Sequence, residues 1–361
     1  MKLFAFYLPQ FHTIPENDEW WGNGFTEWTN IKKSKPLFAG HAQPIHPLNN
    51  NYYNLLEKST VIWQTELMKK YGLDGFIYYH YYFNGRLLLE KPAANLLANK
   101  DINQRFFFCW ANHSWKKSWD GTSKMLVEQT YGDQESWEKH FQYLLPFFKD
   151  SRYEKKNNRP LFMVFLPYFS ENDKMMEYFN KRCIDEGFDG IEIIDSIHNI
   201  YSDDFRWYEK QQFIVPRTIF LREPSIGQLL FERNHRLIRF SKRCALFLKN
   251  HFKIGHYVMT FSGDKLIKEA MRFKPMFNNY CNGIFFEWDN TPRHGTRGYI
   301  IKPITKKIFK RYMNFCSNQE YMFINAWNEW CEGMILEPTE EKQFKYLEWI
   351  KDWKNNSSNQ E

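Results

Sequence analysis

Two glutamates, Glu329 and Glu332, stand three residues apart in FINAWNEWCEG (residues 323–333), directly after a short apolar run. Paired carboxyl groups flanking one bond are the working parts of glycoside hydrolysis, in which burial or a like-charged neighbour keeps one of them protonated. This spacing lets the two groups perturb each other and reach one bond. The plain alternative is a helix start, where acids answer the N-terminal dipole, and the pair alone does not decide. Other chemistries lack their parts. There is no H-E-x-x-H, and GHAQPIH puts His41 and His46 in a Pro-rich loop. G-x-S-x-G, P-loop and D-x-D patterns are also missing. No metal and no cofactor are expected.

The elements that must position these acids alternate along the chain. Short apolar strand candidates are KLFAFYLP (2–9), DGFIYYHY (74–81), QRFFFCWAN (104–112), RPLFMVFLP (159–167), GIEIID (190–195), NGIFFEWDN (282–290) and YMFINAW (321–327). One more is required between residues 200 and 262, where QQFIVP (211–216) and HYVMTF (256–261) both qualify. Helical patterns fill 59–72, 134–149, 172–187, 229–250, 302–315 and 338–353. Alternation predicts a parallel sheet, and nearly continuous apolar strands predict that both faces are buried. Eight such units predict an α/β fold of the (β/α)₈ TIM-barrel type. A doubly wound sheet is the alternative, but its G-x-G-x-x-G turn is missing. The reading is one catalytic domain over residues 1–353, elaborated at about 200–275, with a polar tail at 354–361.

In such a barrel the chemistry sits at the carboxyl ends of the strands, so those ends should carry functional side chains. The first ends in Tyr7, Gln10 and His12, and the second in His80 and Tyr81. The third ends in Trp110, Asn112 and His113, followed by Trp119 and Asp120. The seventh brings Glu287, Trp288, Asp289 and Asn290; the eighth brings Asn325, Trp327, Asn328, Glu329, Trp330 and Glu332. A lone strand-end Asp caps a helix and a lone Trp packs. Repetition over five strand ends points instead to a polar, aromatic cleft. Rings beside amides and carboxyl groups fit sugars, whose C–H faces lie on rings while their hydroxyls take hydrogen bonds.

Composition narrows the class further. The 361 residues carry a net charge of +7, and aromatic residues make up 19%, a share that both a core and a cleft can absorb. The stretch 232–253 holds seven Lys or Arg against one Glu at roughly helical spacing. It is either an outer helix with a solvated basic face or a peripheral contact with an anionic membrane or lipid-linked substrate. No nucleic-acid motif is present. Six scattered cysteines without a C-x-x-C, a first segment too short and polar for a signal peptide, and no run of 18 apolar residues lead to a cytoplasmic protein with reduced thiols. If the basic stretch docks, the protein sits at the inner face of the membrane.

FYLPQFH, WWGNGFTEWTN, YGLDGFIYYHYYFNGRLLLEKP, FFFCWANHSWKKSWDG, FFEWDNTPR and FINAWNEWCEGMILEP together resemble the WbsX-like family of bacterial polysaccharide gene clusters. That family is related to the endo-α-mannosidases of glycoside hydrolase family 99. The blocks run in order from residue 3 to about 338, and 200–275 is the least similar part. The resemblance implies a (β/α)₈ barrel, with Trp28 of the second block joining the sugar-binding candidates. The W-N-E-W-x-E-G signature falls on Trp327–Gly333, implying Glu332 as general acid/base and Glu329 as the base that deprotonates the sugar 2-hydroxyl. The implied route is retaining, through a 1,2-anhydro sugar, without metal. Cys331 stands where hydrolase relatives often carry His, and His113 where many carry Glu, so α-mannose specificity does not transfer. The expected function is cleavage of a glycosidic bond in a bacterial surface polysaccharide or its precursor, free or lipid-linked. The alternatives are a glycosyltransferase of O-antigen or capsule synthesis and an inactive glycan-binding protein.

Overall fold

The chain alternates strand and helix, and the strands close on themselves. The computed structural model describes residues 1–117, 124–198, 205, 208–222, 258–273 and 279–358. Its barrel strands are β1 (Lys2–Tyr7), β2 (Gly75–Phe83), β3 (Phe106–Trp110), β4 (Arg159–Val164), β5 (Glu192–Ile197), β6 (Arg217–Leu221), β7 (Tyr280–Phe285) and β8 (Tyr321–Asn325). Each pairs in parallel with the next, and β8 pairs with β1 through Lys2–Tyr321 to Ala5–Ile324, closing the (β/α)₈ barrel.

Ten α-helices lie among the described residues. They are α1 (Pro15–Trp21), α2 (Glu27–Lys33), α3 (Lys58–Lys70), α4 (Lys91–Ala98), α5 (Gln134–Phe148), α6 (Asn172–Asp185), α7 (Gly263–Ala270), α8 (Thr291–His294), α9 (Lys306–Phe315) and α10 (Lys345–Ser358). The last runs five residues into the predicted polar tail. Every residue of β2 is buried, as a strand covered on both faces requires. Alternation along the strands sends one set of rings inward. Phe4, Phe107, Phe323, Phe220, Phe6 and Tyr79 form a connected chain with centroids 4.9–5.8 Å apart, which fills the barrel. Much of the aromatic excess is therefore core.

The sixth strand falls between its two candidate segments. Pro216 has no N–H to give a ladder and stands just before β6, while Met259–Ser262 joins a small separate sheet with Tyr299–Lys302 and Trp288–Asp289. The basic stretch 232–253 lies outside the described residues. Among the described residues, no helix is long and apolar enough to cross a membrane.

Close packing makes one barrel position intolerant of even a methyl group. A Cβ on Gly75, at the start of β2, would stand 2.5 Å from Phe4 Cε1 and 2.6 Å from the Arg105 carbonyl oxygen. Gly75→Ala is expected to lower stability by about 1–3 kcal/mol through overpacking, measured as a shift of the denaturant midpoint with unchanged slope.

Candidate active site

After β8 the chain does not enter a helix directly. It forms a two-residue hairpin, Asn328–Glu329 antiparallel to Met334–Ile335, joined by one 3₁₀ turn over Trp330–Glu332. Gly333 ends that turn at φ 64°, and a Cβ there would approach the Asp289 backbone nitrogen to 3.0 Å. The hairpin is tied to β1 and the residues after it: Asn328 accepts from Leu8 N (2.7 Å) and donates to Leu8 O (3.1 Å), while Trp327 N donates to Phe6 O. Beneath it, buried Glu337 accepts from Trp330 Nε1 (2.7 Å), Tyr53 Oη (2.7 Å) and Gln64 Nε2 (2.6 Å). Burial pushes the Glu337 carboxyl up to about 7 against the pull of these donors.

The hairpin presents Glu329 and Glu332 to a cavity of about 520 Å³ at the carboxyl end of the barrel. One guanidinium organises its acids. Arg293, on α8, reaches Glu332 Oε1 at 2.5 Å through Nη1, and Glu27 Oε2 at 3.2 Å and Glu329 Oε2 at 3.6 Å through Nη2. Burial opposes the charge on Arg293, but Glu27, Glu332 and Glu329 outweigh it and hold the pKa well above its ordinary value. Glu329 is 8% exposed. Burial first, then the charges of Glu332 and Glu27, raise it to about 8, against the lowering influence of Arg293 and Arg222. A carboxyl poised near neutrality takes and gives protons at working pH. Among the described residues, no three His, Cys, Asp or Glu side chains converge as a metal site.

The predicted site residues separate into groups. Gln10 and Tyr81 line the cavity with Glu329 and Glu332. His80 does not, because adjacent strand residues face opposite ways. It lies on the outer face, with Nε2 2.8 Å from His140 Nε2 and its pKa pushed down to about 3 by burial. Tyr79, on the Tyr81 face, lines the cavity instead. Tyr7 is also outward, donating to Gln64 Oε1, and Trp110 donates to Tyr82 O beside His140. His12 is buried away from the cavity wall, its pKa pushed down to about 4 by burial and then by Lys91.

Trp28 and Trp330 pack on each other at 5.1 Å and brace the hairpin, and Trp28 Nε1 donates to Tyr53 O. Asn112 clamps the loop after β4, exchanging hydrogen bonds with Leu166 N and O. Trp288 and Asp289 line a second, mostly apolar cavity of about 380 Å³. There Asp289 Oδ2 meets His41 Nε2 and Gln43 Nε2, each at 2.8 Å. Trp119 and Asp120 lie outside the described residues. Cys331 is fully buried behind the hairpin, its Sγ 3.4 Å from Glu27 O, and His113 is at the cavity wall. The reading of strand ends missed Glu27 and Arg293. Both sit in quoted blocks, FTEWTN and WDNTPR, but on helices that follow loops rather than on strand ends.

The family described as Glycosyltransferase WbsX matches residues 3–350 of the chain. Two relatives called uncharacterized protein WxcX, from two strains of Xanthomonas campestris pv. campestris, are each 30% identical over 96% of the chain. The chain spans about half of their length, 48%. Among solved structures, an endo-α-mannosidase of glycoside hydrolase family 99 from Bacteroides thetaiotaomicron is similar with a TM-score of 0.56 at 11% identity, covering 99% of this chain and 97% of that one. A glycoside hydrolase-like protein gives 0.58 at 11% identity, covering 98% and 93%. These likenesses establish the fold.

The raised Glu329 pKa has a stability consequence. The folded protein holds this proton more tightly than the unfolded chain does, so its contribution is present below about 4.5 and lost as pH rises toward about 8. Glu337 acts with the same sign over a lower range. Glu329→Gln is therefore expected to lose less stability than the wild type between pH 5 and 9, by urea denaturation at each pH. Parallel curves for the two proteins would contradict it.

Proposed function

The chain belongs to the Glycosyltransferase WbsX family, and from that premise we propose that it is a carbohydrate-active enzyme acting on a glycosidic bond of a bacterial surface polysaccharide or its precursor. The reaction is retaining glycoside cleavage by Glu329 and Glu332. The observation that carries this reading is the convergence of both acids of W-N-E-W-x-E-G on one cavity of about 520 Å³ around a single guanidinium. That volume lies within the range of small-molecule sites.

The roles are those that the W-N-E-W-x-E-G signature implies, and they require the proton shared by the acids to sit on Glu332 when the first step begins. Glu329 is the more buried and carries the raised pKa, so once deprotonated it is basic enough to take a proton from an alcohol. In the first step the sugar O2 attacks C1, Glu329 takes the 2-hydroxyl proton, and Glu332 gives a proton to the leaving oxygen. The product is a 1,2-anhydro sugar. In the second step Glu332 deprotonates a water that opens the C1–O2 bond, and Glu329 returns its proton to O2. Two inversions leave the anomeric configuration retained. Arg293, in contact with both acids, holds them in register and balances their charge.

The family description supports a second reading. A transferase would use the same acids to pass the glycosyl unit of a sugar nucleotide or lipid-linked donor to a sugar hydroxyl. The substrate is an oligosaccharide or polysaccharide in either case, and a glycan-binding protein without activity would leave the paired acids without a task.

Incubating the protein with the polysaccharide made by its own gene cluster, with and without a sugar nucleotide, separates these readings by mass spectrometry. Shorter fragments in plain buffer support cleavage, and growth only with donor supports transfer. Glu332→Gln is expected to lower activity about 10²–10⁴-fold on unactivated glycan, the usual worth of a general acid. Full activity in a folded Glu332→Gln protein would overturn the assignment.

A further inference from the structure

Helix α1, PENDEWW, buries one residue completely, and that residue is the polar Asn17. Its neighbours have evident tasks. Pro15 opens the helix, Asp18 Oδ1 accepts from the backbone N–H groups of Gly24 and Phe25, and Trp20 packs edge-on against Trp115. The Asn17 carboxamide is 0% exposed, yet neither Oδ1 nor Nδ2 has a hydrogen-bond partner within the protein. The residue lines the cavity that holds Glu329 and Glu332.

An unpaired buried carboxamide opposes folding, and an apolar residue would serve the helix better. Groups that lower stability without a structural return are typical of sites that complete their hydrogen bonds with a ligand.

We propose that Asn17 is a specificity-determining residue that reads two hydroxyls on adjacent carbons of the sugar unit bound beside Glu329 and Glu332. Nδ2 donates to one hydroxyl oxygen while Oδ1 accepts from the other hydroxyl, and a planar amide presents both groups side by side. A sugar lacking either hydroxyl, or carrying both in substituted form, leaves the amide unpaired and is rejected. This rests on the proposed reading of the cavity as a sugar site.

The test measures kinetics and melting temperature together for the wild type, Asn17→Ala and Asn17→Leu on the gene-cluster glycan. Calorimetry of the same glycan with Glu332→Gln and Asn17→Ala/Glu332→Gln reports binding without turnover. The expected result is a KM raised about 10- to 100-fold with kcat changed less than about threefold. The expected melting temperature is unchanged or higher, because the variants remove an unpaired buried amide. Weaker binding in the double variant supports the same conclusion. Wild-type kinetics and binding in the Asn17 variants overturn this inference while leaving the sugar reading intact. So does a loss of activity that follows a drop in melting temperature, which would make Asn17 structural. A wild type that neither binds nor turns over the glycan overturns both.

Discussion

The partly buried guanidinium of Arg293 is the constraint on which the rest of the site depends. Three carboxyl groups from two distant parts of the chain, Glu27 on α2 and Glu329 and Glu332 on the β8 hairpin, close around it. Burial first, then the neighbouring Glu332 and Glu27, raise the Glu329 carboxyl to about 8 although Arg293 and Arg222 pull it down, so Glu329 is a group that can hold a proton near neutrality. The fold answers by bringing α8 to this point. Asp289 Oδ1 caps the start of α8 by accepting from Thr291 N and Oγ1, and Asn290 Oδ1 accepts from Tyr299 N. These contacts fix the short helix that carries Arg293.

Much of the polar and aromatic crowding near the acids is scaffold. Trp330 spends its indole N–H on Glu337, Trp28 spends its own on Tyr53 O, and the Asn328 amide bridges to Leu8. Buried polar groups must be paired, and here the pairing also fixes the hairpin against β1 and α3. The cavity wall itself is made by other groups, among them Gln10, Asn17, Tyr79, Tyr81 and His113.

The barrel was legible in the sequence because its evidence is periodic and cumulative: eight apolar runs, helices between them, and no nucleotide-binding turn. The sixth strand was not, since Pro216 and the apolar QQFIV before it look like strand while the ladder begins at Arg217. For the candidate site, spacing and signature pointed to Glu329 and Glu332, and place at strand ends to Gln10 and Tyr81, all four of which line one cavity. The failure at His80 and Trp110 is one of direction. A strand end offers alternate faces, and composition does not say which faces the axis; Tyr79 and Tyr81 do, His80 does not. Trp288 and Asp289 belong to a cavity on the far side of the Gly333 turn, a separation that only the path of the hairpin decides. Arg293 and Glu27 were invisible for a different reason. Their pairing joins residues 266 positions apart, and no local pattern records it.

The three-residue spacing of the acids acquires a physical meaning from the turn between them. In a strand, residues i and i+3 face opposite ways, and Glu329 and Glu332 would never share a bond. In a continuing α-helix they would share a face, but the helix would pack back on the barrel as its neighbours do. A single 3₁₀ turn has three residues per turn, so side chains at i and i+3 lie one above the other. Glu329 caps this turn and Glu332 is its last residue, which brings both carboxyl groups to one guanidinium. The turn must then stop at once, and Gly333 stops it in a left-handed conformation where a Cβ would press on the Asp289 backbone. The E-x-x-E-G of the signature is thus one geometric device: two acids stacked by a 3₁₀ turn, with the glycine that ends it.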